Sequence, residues 1–177
     1  MSISNATLDD LPELLTLVNS AFRGDSARQG WTHESDLIEG TQRIDEPALR
    51  EVLQRPGTVI LKYCNASGDL EGCVMLDKKE RGLYLGMLTV APARQAAGIG
   101  KQLLVAAEEY ARRELCSCIY MTVFSVRPEL IAWYERHGYR RTGETRPYQP
   151  DPRFGVPTPD LEFVVLEKPC TAEPRSA

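Results

Sequence analysis

The residues with the strongest claim to chemistry lie between Met87 and Lys101. An apolar run, Met87-Leu88-Thr89-Val90, ends at Ala91-Pro92, and Gly98 and Gly100 then open an amphipathic segment. The first amide N–H groups of a helix have no intrahelical partner and sit at the positive end of its dipole. Glycine at that place removes side-chain bulk that would hold an anion away. The stretch therefore predicts a phosphate cradle, unless its glycines merely allow close packing.

Two familiar nucleotide loops do not fit. A Walker A loop needs GxxxxGK followed by Ser or Thr; Lys101 follows Gly100, yet Gln102 comes next and Gln95 stands where the first glycine belongs. A dinucleotide fingerprint needs GxGxxG, and Gly98-Ile99-Gly100-Lys101-Gln102-Leu103 lacks the third glycine.

The spacing V-x4-Q-x-x-G-x-G, carried by Val90, Gln95, Gly98 and Gly100, resembles the coenzyme A signature of the GNAT N-acetyltransferases. Ala132-Trp133-Tyr134-Glu135-Arg136-His137-Gly138-Tyr139 is similar to that family's later helix-to-strand motif, in the right order and with a strand between. The resemblance is strong from about Leu83 to Thr145. It implies acetyl-CoA as co-substrate, a primary amine of a small molecule or peptide as acceptor, direct attack and no metal. Backbone N–H groups of Gln95, Ala96, Ala97, Gly98, Ile99, Gly100 and Lys101 are expected to hold the pyrophosphate. The strand edge from Leu88 to Val90 would pair with the pantetheine arm, and the Leu88 N–H would face the thioester carbonyl. The strands at Leu83–Val90 and Ile119–Ser125 would splay to admit the cofactor. Tyr134 falls where the family often carries the acid that protonates the leaving thiolate, although its spacing from Leu130 and Ile131 also suits a core residue.

The attacking amine must be neutral, and with an ordinary pKa of about 10.4 its deprotonation at pH 7 costs roughly 4–5 kcal/mol. Many relatives place a carboxylate on the strand before the signature, where this chain has Leu83-Tyr84-Leu85-Gly86. Tyr84, Glu34, Asp36 and an ordered water all stay open as the base. An asparagine that often precedes the last helix is replaced by Ser125-Val126-Arg127-Pro128, which loses that contact or passes it to Arg127. Trp31 and Glu34 sit in a polar stretch, Arg23–Ile44, that could wall the acceptor: Trp31 by stacking or as a core plug, Glu34 and Asp36 by attracting its charge or as solvated acids. A longer acyl-CoA and a non-catalytic coenzyme A-binding sensor or regulatory module are the alternatives.

The elements that must position these groups are readable from periodicity. Strands are expected at Ser2–Ala6, Thr58–Cys64, Leu70–Lys78, Leu83–Val90, Ile119–Val126, Tyr139–Glu144 and Leu161–Glu167. Helices are expected from a cap at Asp9 or Asp10 to Phe22 (stripe Leu11, Leu14, Leu15, Val18, Phe22), and at Pro47–Gln54, Ile99–Leu115 and Pro128–His137. Asn65-Ala66-Ser67-Gly68-Asp69 is hairpin chemistry. Arg146–Asp160 reads as a proline-stiffened loop that could form a second wall of the acceptor site. The fold class is α/β of α+β type: a mixed, mostly antiparallel central sheet of about seven strands flanked by helices, with one parallel β-α-β crossover. Residues 1–168 are expected to form a single domain, followed by a frayed tail at 169–177.

The formal charge of −4 and pI near 5.3 argue against nucleic acid. No apolar stretch is long enough to span a bilayer, and no signal peptide opens the chain. Five cysteines (Cys64, Cys73, Cys116, Cys118, Cys170) without CxxC spacing, beside only His33 and His137, predict free thiols in a reducing cytoplasm. A homodimer stays open.

Overall fold

The computed structural model describes residues 1–157 and 160–170. Its strands are β1 (Ser2–Asn5), β2 (Ile38–Glu39), β3 (Thr58–Cys64), β4 (Leu70–Lys78), β5 (Leu83–Val90), β6 (Cys118–Phe124), β7 (Arg140–Pro147), β8 (Val156–Pro157) and β9 (Glu162–Pro169). The α-helices are α1 (Leu11–Phe22), α2 (Gly24–Ala27), α3 (Glu46–Gln54), α4 (Ile99–Arg113) and α5 (Pro128–Arg136). Seven strands form one sheet in the order β1-β3-β4-β5-β6-β9-β7, with only β5 and β6 parallel.

Alternation along the central strands gives the sheet two apolar faces. Leu61, Val74 and Leu85 join Leu103, Leu104 and Ala107 of α4 and Ile131 of α5 in one core. Ile60 and Cys73 join Leu14, Val18 and Leu49 of α1 and α3 in the other. The sheet is thus covered on both sides, as the crossover requires.

Where local chemistry sets an element, expectation and structure agree. The bounds of β3, β4 and β5 are those expected, and Asn65 closes the hairpin by accepting the Ser67 and Asp69 N–H groups at 2.8 and 3.0 Å. Asp45 caps α3 by accepting the Ala48 N–H at 2.9 Å.

Several boundaries move for physical reasons. Asp10 is the N-cap position of α1, as expected, but its carboxylate accepts no N–H of that helix; it accepts the Thr7 N–H at 2.7 Å and closes a 3-10 turn ahead of it. The buried stripe of α1 contains Leu17 and Ala21, and Leu15 is only half-buried. Arg146–Asp160 is not all loop: β7 runs on to Pro147, and β8 pairs antiparallel with β2. That ribbon depends on Gly155, at φ +111°, where a Cβ would collide with the Glu39 carbonyl. The tail expected at 169–177 opens on the last residue of β9, and residues 171–177 and Thr158-Pro159 lie outside the described residues.

Candidate active site

Parallel strands stay together only while their ladder continues. Here β5 and β6 pair at Leu83/Ile119 and Tyr84/Tyr120 and no further. Beyond that fork lies a cleft of about 820 Å³, lined by Leu85–Leu88 on one side and Met121–Phe124 on the other. At the fork the Tyr84 hydroxyl shares a 3.2 Å hydrogen bond with Thr122 Oγ1.

A β-bulge shapes the β5 wall. Cys73 is opposite Thr89 and Met75 opposite Gly86, so Met87 and Leu88 together face Val74. Met87 has φ +51°, an uncommon conformation for a non-glycine residue, and Thr89 Oγ1 holds its carbonyl at 2.9 Å. The bulge takes Met87 and Leu88 out of the regular ladder where both line the cleft.

At the cleft's other end lies the turn into α4. Ala96 and Gly98 both adopt left-handed backbone, φ +69° and +80°, a pattern that turns successive N–H groups inward. The Gln95 and Ala97 N–H groups close turns onto the Pro92 and Arg94 carbonyls at 3.5 and 3.3 Å. Those of Ala96, Gly98, Ile99, Gly100 and Lys101 have no hydrogen-bond partner among the described residues. A Cβ on Gly98 would meet nothing within 4 Å, so the space before these donors is open. These residues fit a bound phosphate group. Of the expected cradle, Ala97 and Ile99 do not line the cleft, and the Ile99 side chain is buried in the core.

Gln95 contributes its side chain in a way its spacing did not reveal. Its Oε1 accepts the Trp31 N–H at 2.8 Å, while Nε2 donates to Thr32 Oγ1 at 2.9 Å and the Val90 carbonyl at 3.2 Å. The approach requires Gly30, where a Cβ would lie 2.6 Å from the Gln95 amide. Arg127 grips the same loop: it donates to the Trp31 and His33 carbonyls at 2.9 and 2.8 Å and to Glu129 at 2.7 Å. It is buried and lines the cleft, with its guanidinium engaged by these three acceptors. Trp31 is no core plug: it is 41% exposed and meets Trp133 edge-on at 6.4 Å.

Tyr134 is buried on α5, packs edge-on against Trp133 and Tyr139, and lines the cleft. Its hydroxyl makes no hydrogen bond to any described residue. Burial pushes its pKa well above the ordinary tyrosine value, and the nearby Arg43 charge only partly offsets this. The phenol therefore keeps its proton at neutral pH.

Glu34 and Asp36 separate. Glu34 lines the cleft with its carboxylate between Arg23 at 3.1 Å and Arg43 at 3.6 Å. Asp36 pairs with Arg28 at 2.6 Å on the surface and is not part of the lining. Neither offers a free negative charge to an ammonium group. Arg43, Phe124, Tyr148 and Asp151 also line the cleft; they lie in the two loops expected to wall the acceptor and on the strand expected to splay, although no motif singled out the individual side chains.

The sequence profile of the acetyltransferase (GNAT) family matches residues 14–139. The chain belongs to this family. Blasticidin-S acetyltransferase of Streptomyces morookaense is 31% identical over 111 residues, 59% of this chain and 81% of that enzyme. An acetyltransferase of Agrobacterium fabrum is 35% identical over 65 residues, 37% of this chain; the match spans 46% of that relative's length. In fold, the GNAT chain superimposes on yncA from Salmonella typhimurium, solved with its cofactor acetyl-CoA, with a TM-score of 0.69 at 19% identity, covering 100% of this chain and 98% of that one. Family and named relatives together support acyl-CoA-dependent acetyl transfer. Among the described residues no helix is long and apolar enough to cross a membrane, and no group of His, Cys, Asp and Glu is placed to hold a metal.

Proposed function

We propose that this GNAT protein transfers the acetyl group of acetyl-CoA to a primary amine by direct attack, as a single domain over residues 1–168. The observation that carries the proposal is the continuity of one cleft from the unpartnered N–H groups at the start of α4, along the bulged edge of β5, to the Tyr134 phenol. Acetyl-CoA supplies the activated thioester. The N–H groups of Ala96, Gly98, Gly100 and Lys101 hold its diphosphate, the Leu88–Val90 edge orients the pantetheine arm, and the Leu88 N–H stabilises charge on the carbonyl oxygen. The amine nitrogen bonds to the carbonyl carbon as the C–S bond breaks, and Tyr134 gives its proton to the departing sulfur. Glu34 is engaged by two arginines, Asp36 lies outside the cleft and the Tyr84 hydroxyl is shared with Thr122, so the ammonium proton is assigned to solvent. The likeness to blasticidin-S acetyltransferase supports a small-molecule acceptor.

Thiol release from acetyl-CoA, measured across a panel of amines, tests this reading. Acceptor-dependent release is expected. Saturable acetyl-CoA binding with no release for any amine would make the protein a coenzyme A-binding module instead.

A further inference from the structure

Charge is distributed unevenly along the cleft. Of its charged lining residues, Arg127 is paired with Glu129 and Asp151 with Arg153 at 2.7 Å, while Lys101 belongs to the first turn of α4. The remaining three are Arg23, Glu34 and Arg43, two cations around one carboxylate. Arg23 has the first claim on Glu34. Its side chain is 3% exposed, its Nη2 donates to Glu34 at 3.1 Å and its Nη1 to the Phe154 carbonyl at 2.8 Å. Arg43 is left with Nε at 3.6 Å from the same carboxylate oxygen, beyond hydrogen-bond reach.

Arg43 is nevertheless rigidly presented. Asn19 Oδ1 accepts the Arg43 and Ile44 N–H groups at 2.7 and 3.1 Å, and its Nδ2 donates to the Ile44 carbonyl at 3.0 Å. The guanidinium lies over the Phe22 ring at 4.1 Å, 28% exposed, and its two terminal amino groups have no hydrogen-bond partner among the described residues. An arginine fork fixed in this way matches the two oxygens of a carboxylate or phosphonate.

We infer that the acceptor is a zwitterionic amine, an amino acid or a close analogue, whose anionic group binds the Arg43 guanidinium while its amine faces the bulge at Met87-Leu88. The inference rests on the transfer reading above and names its substrate class. One anion restores charge balance around Glu34. Phe22, Ile44, Val52 and Met75, which line the same end of the cleft, suit an apolar substituent between the two charges.

The test pairs α-, β- and γ-amino acids bearing aliphatic, thioether or aromatic groups with their amides. Thiol release is measured for each pair, and binding of the N-acetylated acid and amide is measured by calorimetry with coenzyme A present. Loss of a charged hydrogen-bond pair predicts at least one pair in which the acid is favoured about tenfold or more. Arg43→Met should erase that preference without changing acetyl-CoA affinity, and Arg43→Lys should restore only part of it. Equal treatment of acid and amide in every pair, or a preference undiminished in Arg43→Met, overturns the inference even if amines are acetylated. Acid-selective binding without thiol release for any amine would instead sink the transfer reading and leave the anion subsite standing.

Discussion

Gln95 Oε1 accepts the Trp31 backbone N–H at 2.8 Å, which ties the turn before α4 to a second loop that lines the cleft. With its two Nε2 bonds, this one side chain fixes both the Trp31-Thr32 segment and the end of β5. Each such bond contributes roughly 0.5–1.5 kcal/mol. Gln95→Ala is therefore expected to raise the acceptor KM by about tenfold. Acetyl-CoA affinity should change little, because the diphosphate is assigned to other N–H groups. Steady-state kinetics beside calorimetry separate the two; equal losses in both would show that the Gln95 side chain serves the cofactor directly.

Tyr134→Phe removes only a hydroxyl that has no hydrogen-bond partner among the described residues, so the variant should fold with undiminished stability. The loss of a general acid predicts a fall in kcat on the order of 100-fold or more, with acetyl-CoA affinity intact. The sign of the pH dependence follows from burial. Because the phenol's pKa is raised, its donor form persists through and beyond pH about 10, where an ordinary tyrosine would lose half its protons. No alkaline decline in kcat assignable to Tyr134 should appear below that pH. A decline near pH 9 that disappears in the phenylalanine variant would contradict the assignment of a raised pKa.

Cys73 lies buried beneath the bulge, and burial pushes its thiol from 9.0 up to about 12. The unfolded chain can ionise this thiol above pH about 9, whereas the folded chain holds its proton. The stability that this preference preserves is complete below pH 9 and is lost as the pH rises through 12. Between about pH 8 and pH 10.5, the urea midpoint should fall less steeply in Cys73→Ala than in the parent protein, whatever the substitution costs overall. Parallel slopes would contradict the shift.

The parts of the fold visible in the chain are those set by neighbours in sequence. Alternating apolar residues and the Asn65–Asp69 turn gave β3, β4 and β5 their bounds, and Pro128 with Gly138 framed α5. The cradle was legible for the same reason, since Gly98 and Gly100 mark a helix entry within a few residues. What escaped depends on contacts across the chain. β2 is two residues long and exists because Gly155 lets β8 approach it. The roles of Gln95 and Arg127 as clamps on the Trp31–His33 segment link positions 64 and 96 residues apart, beyond any local pattern. Arg43 is presented by Asn19 and Phe22, contacts that the fold makes and no local pattern encodes.

The central claim is that backbone donors at the start of α4 bind the diphosphate of acetyl-CoA. Calorimetric titration with acetyl-CoA and with acetyl-pantetheine, which carries the same thioester and arm but no diphosphate, tests it most directly. The account predicts saturable binding of acetyl-CoA, at least about 100-fold weaker binding of acetyl-pantetheine, and loss of that difference in Gly98→Glu, which sets a negative charge before the donors. Equal affinity for the two ligands, or no heat from acetyl-CoA with folded protein, would contradict it.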